Sequence, residues 1–166
     1  MIKKLNLFLL TLFHIGKFKY APGTLASLIT CAIFLFLINY INIIILFFLT
    51  LFIFFYSLVA INSSYNTFES KDPQVIVIDE FVGQMIPLLA IPIYETLHPE
   101  TELFYCVFSF FLFRFFDILK PFPINYIDKN TDGALGIMLD DVVAGIFSTI
   151  VLILIFFIFG GYNIWN

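Results

Sequence analysis

The sequence predicts an all-α protein: a small polytopic membrane helical bundle with about four spanning helices and a short N-terminal interfacial helix. Three features of the chain lead to that class. Of its 166 residues 61% are hydrophobic and only 12% charged, too little polar surface for a soluble domain of this size. Its apolar residues come in runs long enough to enter or cross a bilayer, among them IMLDDVVAGIFSTIVLILIFFIF, Ile137–Phe159. No internal repeat or low-complexity linker divides the chain, so residues 1–166 are expected to form one membrane-embedded domain.

The first segment, MIKKLNLFLLTLF, sets Lys3 and Lys4 before a short apolar run, as a signal peptide would. The following HIGKFKYAPGT lacks the small residues of a cleavage point, so a retained interfacial or partly buried helix is expected. The first span, about Leu25–Ile38, is short and ends in the turn Asn39-Tyr40-Ile41-Asn42, and the second covers about Ile43–Ile61. After the polar loop NSSYNTFESKDP comes the third, Val75–Ile93, with Asp72 and Pro73 as helix-start residues. Pro87 should kink it, because proline removes one backbone bond and frees the carbonyl of Gly83. The acidic loop YETLHPETE leads to the fourth span, Leu103–Lys120, which Pro121 and Pro123 terminate. PINYIDKNTDGALG reads as a second polar loop before the last span.

If these spans alternate sides, Lys3, Lys4, Lys17, Lys19, Lys71, Arg114, Lys120 and Lys129 all fall on one side. The opposite loops hold only Glu95, Glu100 and Glu102. The basic side is therefore expected to be cytoplasmic, in a multi-pass protein of the inner membrane. A net charge of −4 without a basic tract argues against a nucleic-acid partner. Cys31 and Cys106 lie inside apolar runs and read as small core residues.

On this topology Asp79 and Glu80 sit about two turns into the third span, Asp117 lies near the end of the fourth, and Asp140 and Asp141 open the fifth. Carboxylates from three helices thus converge at one depth on the cytoplasmic side, where they would repel one another. A divalent cation would relieve that repulsion, and an all-oxygen site suits Mg²⁺. Adjacent residues point about 100° apart, so Asp79/Glu80 and Asp140/Asp141 must divide their roles within each pair. Arg114, Asp117 and Lys120 form a stripe on which the two cations could hold phosphate, or else pair with Asp117 at the interface. APGT, Ala21–Thr24, just before the first span, could offer backbone amides to an anion, and DGALG, Asp132–Gly136, stands just before the last. His14 and His98 are isolated and receive no catalytic role.

The segments APGTLAS, KDPQVIVIDEFVGQ, FRFFDILKPFPI and GIMLDDVVAG, in this order, resemble the phosphatidylglycerophosphatase A family. The resemblance implies an Mg²⁺-dependent membrane phosphatase that takes the terminal phosphate from phosphatidylglycerophosphate, leaving phosphatidylglycerol. The family's acidic positions fall on Asp79, Glu80, Asp117, Asp140 and Asp141, and its basic positions on Arg114 and Lys120. Two departures concern loops: GKFKYAPGT is less proline-rich than the family's lead-in, and Asp132-Gly133 stands where consecutive glycines are expected.

Under this reading Asp79, Asp140 and either Asp117 or Asp141 hold Mg²⁺, and Glu80 is the general base for the attacking water. Arg114, Lys120 and Thr24 contact the substrate phosphate. An aspartyl-phosphate route, with Asp140 or Asp141 as nucleophile, is the competing scheme. A rival of another class is a small ion or proton transporter using the intramembrane carboxylates, with Pro87 marking a broken helix.

Overall fold

Apolar runs become helices here because a backbone away from water must satisfy its own amides and carbonyls. A computed structural model describes residues 2–64, 75–90 and 102–160, with the backbone alone for residues 2, 102 and 156–160. Among the described residues there is no strand, and there are seven α-helices: α1 (Ile2–Leu10), α2 (Pro22–Leu37), α3 (Ile43–Ser64), α4 (Ile78–Leu89), α5 (Glu102–Leu119), α6 (Ile124–Asn130) and α7 (Gly133–Gly160). A 3-10 turn at Ile15–Lys17 joins α1 to α2. Lys71, Asp72, Pro73, Glu95, His98 and Glu100, on which several sequence expectations rest, lie outside the described residues.

The turn expected between the first two spans is present, and its asparagines explain it. Asn39 Nδ2 donates to the Leu35 carbonyl at 2.8 Å, closing α2. Asn42 Oδ1 accepts from the Ile44 amide at 2.8 Å and caps the free start of α3. Among the described residues two helices are long and apolar enough to cross a membrane, α3 and the Gly133–Ile155 part of α7. On α3 Phe47, Phe48, Phe52 and Phe55 are all exposed, a contiguous apolar face that water would not tolerate. α2 is a shorter apolar helix, and α4, with 12 residues, reaches only about 18 Å, well short of a bilayer core of about 30 Å.

The short helix is nevertheless the centre of the bundle. α4 packs most extensively on α7 and also touches α2, α3 and α5. Phe81 through Met85, Pro87 and Leu88 are buried. α1 packs on α3, pinned by Asn6, whose Nδ2 donates to Ser63 Oγ and whose Oδ1 accepts from the Tyr56 hydroxyl. Beyond α1 the chain turns under the start of α4, where the Val77 amide donates to the Leu10 carbonyl at 3.1 Å. The N-terminal helix is thus a partly buried brace. Cys31 and Cys106 are buried thiols on neighbouring α2 and α5.

Several boundaries differ from the sequence reading. α4 begins at Ile78 instead of about Val75, so Asp79 and Glu80 lie in its first turn instead of two turns in. α7 begins at Gly133, so Asp140 and Asp141 lie about two turns inside it instead of opening it. Pro22–Thr24 of APGT and Gly133–Gly136 of DGALG likewise lie in the first turns of α2 and α7 rather than preceding them. The stretch read as a second polar loop contains α6, which holds because Ile124 is fully buried in a cluster with Phe113 and Ala144. Apolar periodicity locates a helix but leaves its ends open when the flanking residues are also apolar.

Pro87 acts as expected in one respect: it cannot donate to the Gly83 carbonyl. The α7 backbone crosses at that point. A Cβ added to Gly145 would overlap the Gly83 carbonyl oxygen, and one added to Gly83 would lie 2.7 Å from the Asp141 carbonyl and 2.7 Å from the Phe113 ring. Only hydrogens fit between α4 and α7, the small-residue contact by which helices approach closely in a membrane. Gly145→Ala should therefore lower stability by about 1–3 kcal/mol, although alanine normally gains up to about 1 kcal/mol over glycine in a helix. Unfolding in detergent measures this, and a variant more stable than the parent would contradict the close crossing.

Candidate active site

Every acidic side chain among those described lines one cavity of about 660 Å³, seven in all, together with Lys19, Arg114 and Lys120. Five elements and their joints build it. The first turn of α2 contributes Gly23 and Thr24, and α4 contributes Asp79 and Glu80. Arg114 and Asp117 come from α5, Asp128 from α6, and Asp140 and Asp141 from α7. All eight site residues predicted from sequence therefore face a common space.

Within it the carboxylates divide into two groups. One oxygen each from Asp79, Glu80 and Asp141 lies within 4.8 Å of the others. Asp140 instead turns to Lys120, whose Nζ donates to Asp140 Oδ2 at 2.7 Å and to Asp128 Oδ1 at 2.6 Å. Asp117 pairs with Arg114, its Oδ2 2.6 Å from Nη1, with both side chains mostly buried. The helical twist explains the split, since Asp140 and Asp141 point about 100° apart. The tight group thus contains Asp141, one of the two alternatives the sequence offers for the third ligand, and leaves out Asp140, which the sequence reading places beside Asp79.

Three like charges this close cannot stand alone. At 4.8 Å each pair repels by on the order of 3 kcal/mol at an effective dielectric of about 20. α4 offers partial relief, because Asp79 and Glu80 sit in its first turn, beside unpaired helix amides. The Glu80 amide itself donates to Asp79 Oδ1 at 3.1 Å. Two buried oxygens, Glu80 Oε2 and Asp140 Oδ1, have no hydrogen-bond partner. Three carboxylates that can each turn one oxygen to within 4.8 Å of the others form an oxygen-only donor set, which fits a hard divalent cation such as Mg²⁺.

Backbone strain marks both cationic edges. Lys120 follows α5 in a left-handed conformation (φ 42°), which costs a non-glycine residue about 1–2 kcal/mol. That geometry carries its ammonium back to Asp128 and Asp140. Burial alone would lower its pKa, but hydrogen bonds and charge attraction from Asp128 and Asp140 outweigh burial and raise it above the ordinary lysine value. Ala21, the residue before α2, is also left-handed. Two residues on, a Cβ at Gly23 would overlap Glu80 Oε1 and sit 3.2 Å from Arg114 Nη1, so a larger residue there would push those two side chains from their present positions. Asp128 was not anticipated from the sequence. No spacing rule connects it to Lys120, because the turn at 121–123 lies between them.

The comparisons with known proteins point to one family. The family model described as Phosphatidylglycerophosphatase A matches residues 8–156. The chain belongs to the phosphatidylglycerophosphatase A family. A Haemophilus influenzae phosphatidylglycerophosphatase A is 37% identical over 84% of this chain and 81% of its own length. The Escherichia coli K12 phosphatidylglycerophosphatase A is 41% identical over 44% of this chain and 38% of its own. A Bacteroides thetaiotaomicron protein with a provisional phosphatidylinositol-3-phosphatase name is 42% identical over 49% and 48%. No solved structure matches significantly. As a member of the phosphatidylglycerophosphatase A family the protein is a phosphatase, a phosphoric monoester hydrolase.

Two outcomes follow from the geometry. Because the Lys120 pKa is raised on folding, its stabilising contribution is complete below the unfolded lysine value, about 10.4, and is lost only as pH climbs through the higher folded value. Lys120→Met should thus lower the unfolding midpoint equally at about pH 7 and about pH 9. A difference that vanishes by pH 9 would contradict the raised value. Gly23→Ala should lower kcat by roughly ten- to a hundredfold by displacing Glu80 and Arg114, with the circular-dichroism melt nearly unchanged.

Proposed function

We propose that the protein hydrolyses the terminal phosphate of phosphatidylglycerophosphate, releasing phosphatidylglycerol and inorganic phosphate, with Mg²⁺ as cofactor. The carrying observation is the single cavity that gathers every described acidic side chain with three cations, in a chain of this family. The printed names of the Haemophilus and Escherichia relatives support the substrate. Ile118, exposed to 66%, lies on the cavity wall, and Phe122 and Tyr20 are exposed nearby in sequence, so an acyl chain would meet apolar surface beside the polar site.

Asp79, Glu80 and Asp141 would hold the metal, which supplies charge neutralisation and polarisation of the phosphoryl oxygens. This assignment replaces Asp140 with Asp141 and keeps Asp117 outside the ligand set, beside Arg114. Arg114 faces the non-bridging phosphate oxygens once its pairing with Asp117 is shared. Thr24, also lining the cavity, offers a hydroxyl and the first-turn amides of α2. Lys120 holds Asp140 in place and adds positive charge at the mouth. Water attacks phosphorus, the bond from phosphorus to the glycerol oxygen breaks, and a carboxylate accepts the water proton. Glu80, through its unpartnered Oε2, is the candidate base. The leaving oxygen takes a proton from solvent at the open mouth.

The lysines and arginine beside the cavity support a multi-pass placement in the inner membrane with the site on the cytoplasmic side. Ion or proton transport is less favoured: no described acidic side chain lies away from the cavity, and none accompanies Pro87.

Purified protein with phosphatidylglycerophosphate should release phosphate only with Mg²⁺ present. Asp79→Asn and Asp141→Asn should each lower kcat by about a hundredfold or more and weaken Mg²⁺ binding measured by calorimetry. Asp140→Asn should leave calorimetric binding closer to the parent. Full activity in chelator, or undiminished Mg²⁺ binding in both first variants, would overturn the assignment. A phosphorylated aspartate trapped by rapid quench would replace direct water attack with the covalent route.

A further inference from the structure

Three cations line the cavity, and two are already committed. Arg114 is paired with Asp117, and Lys120 bridges Asp128 and Asp140. Lys19 is different. It lies in the connection between the 3-10 turn and α2, is exposed on the cavity wall, and forms no ion pair among the described residues. Its ammonium lies over the adjacent Tyr20 ring, Nζ 5.6 Å from the ring centroid. Close packing fixes the connection that carries it. A Cβ at Gly16 would overlap the Val75 carbonyl, so the loop lies against the lead-in to α4, and Ala21 turns left-handed directly before α2.

The proposed substrate carries two phosphates of different kinds. The terminal monoester meets Arg114, beside the three acids that would hold Mg²⁺. The second is a diester, joined to the first by glycerol and to the lipid on its other side, so it keeps one negative charge after the reaction. A cavity with seven acids and three bases repels that charge unless an uncommitted cation meets it. From these placements, and resting on the phosphatidylglycerophosphatase reading above, we infer that Lys19 binds the diester phosphate at the rim of the cavity. It thereby selects lipids with two phosphates over lipids with a terminal monoester alone. A point charge on a flexible stem suits this task, because the diester remains after hydrolysis and must be released.

Lys19→Gln, Lys19→Arg and Lys17→Gln test this in detergent micelles with Mg²⁺. Lys17 is also exposed but does not line the cavity, so it controls for general interfacial charge. The KM for phosphatidylglycerophosphate is compared with the inhibition constant of phosphatidic acid, whose only phosphate is a monoester. Lys19→Gln should raise that KM by roughly tenfold, equivalent to about 1.4 kcal/mol, with kcat unchanged. The phosphatidic acid constant should not move, Lys19→Arg should restore the parent KM, and Lys17→Gln should match the parent. An unchanged KM in Lys19→Gln, an equal weakening toward both lipids, or the same loss in Lys17→Gln would overturn the inference while the parent remains active. A parent releasing no phosphate from phosphatidylglycerophosphate would overturn the functional reading, and this inference with it.

Discussion

The crossing of α4 over α7 is the contact on which the site depends. At Gly83 and Gly145 the two backbones approach without side chains between them. One turn before Gly83 on α4 are Asp79 and Glu80, and one turn before Gly145 on α7 are Asp140 and Asp141. Bringing the glycines together therefore brings the acids together. Membrane helices have little hydrophobic drive to associate with one another, so close packing of this kind must supply much of the attraction. It also opposes the repulsion that grows as the carboxylates converge.

The charges are held apart by function within a small volume. Lys120 takes Asp140 and Asp128, Arg114 takes Asp117, and the remaining three carboxylates share a space suited to a cation. Desolvated ion pairs seldom add much net stability, since losing water costs nearly what attraction returns. Their role here is better described as placement. They keep the α5 and α6 charges from joining the central cluster, and they orient Arg114 toward the first turn of α2.

Much of this was legible in the residues. Apolar runs located the helices, the asparagines marked the turn between α2 and α3, and the acidic and basic positions all lie on one cavity. The depth of the acids was misjudged in both directions. Helix ends set that depth, and those ends were hidden: Val75, Ile76 and Val77 are as apolar as the helix they precede, while Gly133–Gly136 looks like a loop yet is helical. Asp128 escaped notice because α6 is too short to show a period.

The amino-acid order by itself determined that the chain is helical, that it carries helices long and apolar enough to cross a membrane, and which acids and bases share the cavity, because composition, run length and motif spacing are local properties. Tertiary structure decided which carboxylates share a centre. Asp140 and Asp141 are neighbours in the chain, but the twist of α7 sends one to Lys120 and the other to Asp79 and Glu80. That choice depends on the rotation of α7 against α4, fixed where Gly145 meets the Gly83 carbonyl, and no linear spacing encodes it.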